Sequence, residues 1–87
     1  MDPAIQAIEF LARSEHRLAV LDALAERPLD RRDLREATGA SDPTIGRVLR
    51  DFEDRSWIGR DGPAYNLTPL GEYVTDLFFD LRDGMRT

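Results

Sequence analysis

The sequence contains no cysteine, no lysine and a single histidine, His16, in 87 residues. Without cysteine there are no disulfides, thiolate metal sites or thiol nucleophiles, and one imidazole builds neither a histidine metal cluster nor a relay of two histidines. There is no paired nucleophile and base, no glycine-rich phosphate loop after a strand and no metal-ligand spacing. An enzyme, a metal centre and a cofactor are therefore not expected, and His16 reads as a surface residue. No run of about 18 apolar residues is present, and Asp2 stands where a secretory leader would carry basic charge. The expectation is a cytoplasmic protein that does not engage membranes.

What is there is charge of an unusual kind. All 12 basic residues are arginine, and 11 of the 17 acidic ones are aspartate, for a net charge of −5. Short carboxylates and arginine in place of lysine keep a surface hydrated in molar salt, where the Debye length is about 3 Å. Two origins fit: a salt-adapted, haloarchaeal proteome, or a GC-rich genome that favours arginine codons. The charge is uneven, with +1 over residues 31–60 and −3 on each side, so the middle third is the part best suited to approach phosphate. With 41% hydrophobic and 33% charged residues the chain should fold, and its length supports one core, so residues 1–87 are read as a single domain.

Asp2 followed by Pro3 predicts a capped helix with Ile5, Ile8 and Leu11 on its apolar side and Ala4, Ala7 and Ala12 beside them. Ser14 caps a second helix whose stripe is Leu18, Leu21, Leu24 and Ala25, and Pro28 stops it. Pro28 to Asp30 is an extended link. Asp30 with Asp33 opens a short third helix, Leu34 and Ala37 inward, that ends at Thr38 and Gly39. Ser41 caps a fourth, with Ile45, Val48, Leu49 and Phe52 spaced i, i+3, i+4 and i+7. Around Asp61, Gly62 and Pro63 the period changes to that of a hairpin, with Trp57, Ile58, Tyr65 and Leu67 in its strands. Thr68 and Pro69 then start a last helix buried through Leu70, Tyr73, Val74, Leu77, Phe78 and Leu81.

Two short helices joined by about three residues containing glycine form a helix-turn-helix over about 30–55, the hairpin over about 56–67 is a wing, and the C-terminal helix covers about 68–83. The fold class is mainly α with a small β-hairpin wing (α+β): a winged helix-turn-helix of about five helices and two to three short strands. Packing of the fourth helix's inner stripe leaves Ser41, Asp42, Thr44, Arg47 and Arg50 free to enter a major groove about 12 Å wide, with Gly46 allowing close approach of the helix backbone. Phe52, Trp57 and Tyr65 read as core rather than as base-stacking residues.

The stretch DRRDLREATGASDPTIGRVLRDFEDRSWI and the segment YNLTPLGEYV, with Leu67, Thr68 and Gly71 in an L-T-x-x-G signature, resemble the winged-helix transcription regulators of archaea, in the company of the MarR and ArsR families. More narrowly, the chain is similar to haloarchaeal regulators whose N-terminal winged helix precedes a larger C-terminal domain of the methanogenesis-regulator type. It is then either part of such a protein, with a C-terminal effector domain to follow, or a small freestanding regulator. The resemblance implies sequence-specific binding of double-stranded DNA, with base or groove contact from Ser41, Thr44 and Arg47 and backbone contact from Arg31, Arg32, Arg50 and the wing's Arg60. Asp42 departs from the pattern: it stabilises the helix start, accepts from cytosine N4, or discourages DNA.

Each assignment has a plainer competitor. Arg31, Arg32 and Arg35 alternate with Asp33 and Glu36 and fit a salt-bridged surface as well as phosphate contact, while Asp51 and Asp54 stand at i+4 from Arg47 and Arg50. Ser41 is a cap first. The alternative function is a winged-helix protein interaction module of the transcription machinery, for which acidity is an asset. Leu77, Phe78, Phe79 and Leu81 give the last helix a wider apolar arc than one small domain needs. With Ile5, Ile8 and Phe10 they form a homodimer interface, which in similar proteins sets two recognition helices about 34 Å apart, or they face the larger C-terminal domain.

Overall fold

A computed structural model describes the backbone of residues 2–84 and the side chains of residues 2–80. The order is α1 (Pro3–Ala12), α2 (Glu15–Glu26), β1 (Leu29–Asp30), α3 (Arg31–Thr38), α4 (Asp42–Asp54), β2 (Ile58–Asp61), β3 (Ala64–Leu67) and α5 (Pro69–Gly84). This is an α+β winged helix. The helix starts follow from local chemistry, each cap oxygen satisfying an N–H that the first turn leaves without a partner. Asp2 Oδ1 accepts from the Ala4 N–H at 2.8 Å, Ser14 Oγ from Arg17 at 3.3 Å, Asp30 Oδ1 from Asp33 at 2.7 Å and Ser41 Oγ from Thr44 at 3.4 Å. The helix α2 stops because Pro28 forces Arg27 out of the helical region, to φ −168° and ψ 161°.

The extended link after Pro28 proves to be a strand. Leu29 pairs with Tyr65 and Asp30 with Ala64, so the sheet order is β1-β3-β2 and the wing's inner strand is bonded to the residues that lead directly into α3. Between β2 and β3, Ile58 pairs with Leu67 and Asp61 with Ala64, which leaves a two-residue turn at 62–63 where Gly62 takes φ +61°.

The core draws on all five helices and the sheet, and Leu11, Val20, Leu21, Leu34, Ile45 and Phe52 are wholly withdrawn from solvent. Several positions differ from the sequence pattern. Val20, not Ala25, completes the buried face of α2, and Ala40 in the turn, not Ala37 on α3, is buried; Ala25 and Ala37 are exposed. On α5, Leu70 and Tyr73 are exposed, at 48% and 60%, while Val74 is buried against the core. Phe10 packs inward on α1, at ring-centroid distances of 6.3 Å from Phe52 and 5.7 Å from Trp57, and the guanidinium carbons of Arg17 and Arg55 stand 3.8 and 3.7 Å from its centroid.

The passage from α4 to the wing and on to α5 is held by the bonds of one residue, Thr68. Ser56 adopts a left-handed φ of 62°, which turns the chain out of α4. The Thr68 hydroxyl donates to the Ser56 carbonyl at 2.6 Å and accepts from the Gly71 N–H at 3.0 Å, while the Thr68 N–H donates to the Trp57 carbonyl at 2.9 Å. A Cβ at position 71 would strike the Trp57 carbonyl oxygen and stand 2.9 Å from its carbon. The signature glycine is thus a contact between helix and backbone. Gly71→Ala is expected to lower stability by about 1–3 kcal/mol, as over-packing against an unyielding backbone does, measured by urea unfolding; an unchanged midpoint would show that α5 can slide off Trp57 without cost.

Candidate nucleic-acid interface

The turn between α3 and α4 is short because it is bonded to α3. Gly39 takes φ +72° and its N–H donates to the Arg35 carbonyl at 2.8 Å, and the Ala40 N–H donates to Thr38 Oγ1 at 3.2 Å. Buried Ala40 then directs the chain into α4, which buries Ile45, Val48, Leu49 and Phe52. On the opposite side, residues 43, 47, 50 and 54 are all exposed. Arg47 and Arg50 therefore stand one turn apart on the outward face. Among the described residues neither pairs with a carboxylate: Asp51 takes Arg17 instead, at 3.8 Å, and Asp54 pairs with no arginine.

The other predicted cations are in ion pairs. Arg32 Nε reaches Glu36 Oε1 at 3.4 Å along α3, and Arg60 Nη2 reaches Glu53 Oε1 at 3.4 Å from the wing, with its guanidinium 4.9 Å from the Tyr65 ring centroid. The hydrogen bond to Glu53 raises the Arg60 pKa further. Arg31 is the most engaged: its Nε donates to Asp42 Oδ1 at 2.9 Å, and its Nη2 to Asp42 Oδ2 at 3.2 Å and to the Asp42 carbonyl at 3.1 Å. Arg35 Nε lies 3.7 Å from the same Oδ1. Asp42 therefore clamps the start of α4 to α3. The role read for Gly46 changes accordingly, because a Cβ there would strike the Arg31 guanidinium; the glycine makes room for the clamp. Ser41 Oγ, besides capping, donates to Thr44 Oγ1 at 3.0 Å, so the two hydroxyls partner each other.

Of the expected interface residues, Ile5 is 50% exposed and Ile8, Leu77, Phe78 and Phe79 are half-buried, Phe78 packing against the core. Phe10 is occupied by Arg17 and Arg55, and the side chain of Leu81 lies outside the described residues. Sequence reasoning missed Leu70 and Tyr73, which with Pro3, Ala7, Val74 and Leu77 line an apolar groove between α1 and α5. Helical spacing gave no warning, since Leu70, Tyr73, Val74 and Leu77 share one stripe that turns half toward the core and half away.

The HVO_A0261 N-terminal domain family matches residues 5–87. The chain belongs to this family. Over 68 residues this HVO_A0261 N-terminal domain is 34% identical to the methanogenesis regulatory protein FilR1 of Methanothrix harundinacea (strain 6Ac); that stretch is 78% of the chain and 15% of the relative, so the chain spans a small part of it. Among solved structures, quinone-bound YodB from B. subtilis superposes with a TM-score of 0.83 at 16% identity, covering 98% of both chains. TubR from Bacillus thuringiensis serovar israelensis, bound to 24 bp of tubC, superposes with a TM-score of 0.79 at 20% identity, covering 92% of this chain and 96% of that one. Both share the winged-helix fold. No helix among the described residues is long and apolar enough to cross a membrane.

Two outcomes follow from the clamp. The hydrogen bond from Arg31 holds the Asp42 carboxyl below its usual range, so the pairing contributes above the ordinary aspartate pKa and is lost as pH falls through the depressed one. Arg31→Ala should move the Asp42 titration, followed by carboxyl NMR, up toward that of a free aspartate; an unmoved titration would show that Arg31 does not hold it. Gly46→Ala should leave stability within about 1 kcal/mol by thermal unfolding, because the gain in helix propensity offsets an exposed ion pair whose arginine can swing away. A larger loss would mean that the clamp carries the helix-turn-helix.

Proposed function

We propose that the chain is the DNA-reading part of a cytoplasmic transcription regulator, binding double-stranded DNA through α4 in the major groove with the β2–β3 wing along the backbone. One observation carries this reading. In a chain of net charge −5, two arginines one turn apart on the outward face of the second helix of a helix-turn-helix pair with no carboxylate among the described residues. Arginine forks grip guanine O6 and N7 with two hydrogen bonds or sit on phosphate, so Arg47 and Arg50 are suited to base and backbone contact. The DNA-bound state of TubR and the regulatory name of FilR1 support the same reading. Ser41 and Thr44 present hydroxyls at the N-terminal turn of α4 for base or groove contact, while Arg31 and Arg32 at the start of α3 and Arg60 on the wing beside α4's Glu53 are, with Arg50, the backbone contacts of the proposal.

Exposed Ile5, Leu70 and Tyr73, with the groove between α1 and α5, support a homodimer built on those two helices, which sets two recognition helices on one side of the duplex. No catalytic role is proposed. The all-arginine, aspartate-rich surface fits salt-adapted, haloarchaeal cytoplasm, in which protein and DNA meet at high ionic strength. The acids at 42, 53 and 54 near the same face favour a second reading, a protein interaction module, and salt separates the two: DNA binding falls linearly in log–log with potassium chloride.

Fluorescence anisotropy against the protein's own upstream region and a scrambled duplex, over a potassium chloride series, tests the proposal. Arg47→Ala should cost about 1–3 kcal/mol on the preferred duplex and little on the scrambled one, whereas Arg60→Ala should weaken both and flatten the salt slope by about one. Equal loss on both duplexes for Arg47→Ala would remove its base contact, and no duplex preference at any salt would defeat the DNA reading.

A further inference from the structure

The Asp42 clamp has the geometry of a phosphate site that is already filled from within. Two N–H groups of one guanidinium meet two oxygens of one carboxylate at 2.9 and 3.2 Å, which is the fork an arginine offers a backbone phosphate. A second cation, Arg35, stands 3.7 Å from the same oxygen. The anion sits in the first turn of a 13-residue helix, where free N–H groups favour negative charge, next to the Ser41 and Thr44 hydroxyls. The seat has been given space, since the Arg31 guanidinium lies where any side chain at position 46 would be. It is also open to solvent, with the Arg31 and Asp42 side chains 44% and 49% exposed.

We propose that Asp42 is an internal counter-phosphate: without DNA its carboxylate occupies the seat that Arg31 and Arg35 offer to the duplex backbone, and binding exchanges it for a phosphate. The inference rests on the DNA reading and adds to it a residue that sets affinity. Exchange leaves Asp42 ionised and unpaired beside a polyanion, which weakens every duplex regardless of sequence. The base contact of Arg47 is untouched by it. Asp42 thus holds down the backbone term that Arg31 and Arg35 would otherwise offer to any duplex.

The test is a double-mutant cycle by fluorescence anisotropy on a random-sequence duplex and the upstream duplex, across potassium chloride, with wild type, Asp42→Asn, Arg31→Ala and the double variant. Asp42→Asn should tighten both duplexes by about two- to fivefold, the worth of an exposed ion pair, and steepen the salt slope by about one. In the Arg31→Ala background the same change should gain less than half as much. Tightening of equal size with and without Arg31 would mark simple repulsion, and unchanged or weaker binding by Asp42→Asn would mark a clamp that positions α4; either result overturns the exchange while leaving the DNA reading intact. If wild type binds no duplex at any salt, the DNA reading itself has failed and this inference falls with it. Thermal unfolding of each variant confirms that folded chains are compared, as Ser41 rather than Asp42 caps the helix.

Discussion

The Trp57 carbonyl oxygen accepts the Thr68 N–H at 2.9 Å and lies so close to α5 that position 71 has room only for hydrogen. Through this contact three elements meet without slack: the end of α4, the root of the wing and the start of α5. Ser56 turns the chain at φ 62°, its carbonyl is taken by the Thr68 hydroxyl, and the same hydroxyl caps Gly71. Trp57 is thereby fixed in two senses, its backbone against α5 and its ring against Phe52 and Phe10. Helix α4 is positioned from its C-terminal end by this junction and from its N-terminal end by the Arg31–Asp42 clamp.

The charges divide by whether a partner is available. Acids outnumber bases, and Arg17, Arg31, Arg32, Arg35 and Arg60 each have a carboxylate within 4 Å. These exposed pairs contribute little to stability, on the order of 0.2–1 kcal/mol each. They do not reach Arg47 and Arg50 on the outward face of α4, which pair with no carboxylate among the described residues.

Much of the fold was legible because the signals are local. The caps at Asp2, Ser14, Asp30 and Ser41, the left-handed Gly39 and Gly62, and the stripe of α4 each depend on residues within seven positions of one another. What was hidden depends on separation. The strand β1 has two residues and exists only because β3, some 35 positions later, pairs with it. Asp42 finds Arg31 at a separation of 11, so no i+4 rule reveals it, and Gly46 looks like a concession to DNA until that guanidinium is seen above it. Phe10 resembled interface because it is a large apolar residue off the main stripe of α1; its ring instead faces two cations that arrive from α2 and from the end of α4. The sites of proposed DNA contact were readable as residue types on a face, whereas which of them would be free was a question of tertiary pairing.

The packing around Phe10 bears on the missing lysine. A guanidinium is a flat, weakly hydrated plate that can lie along an aromatic ring while its edge still donates hydrogen bonds, as Arg17 does to the Phe10 carbonyl at 2.8 Å and toward Asp51 at 3.8 Å. An ammonium is a hydrated point that cannot cover the ring and bridge two helices together. At positions 17 and 55 the arginine bias is therefore a fixed part of the architecture: codon drift or adaptation to dilute cytoplasm is free to bring lysine to the periphery of this molecule, but not to the two side chains that cover Phe10.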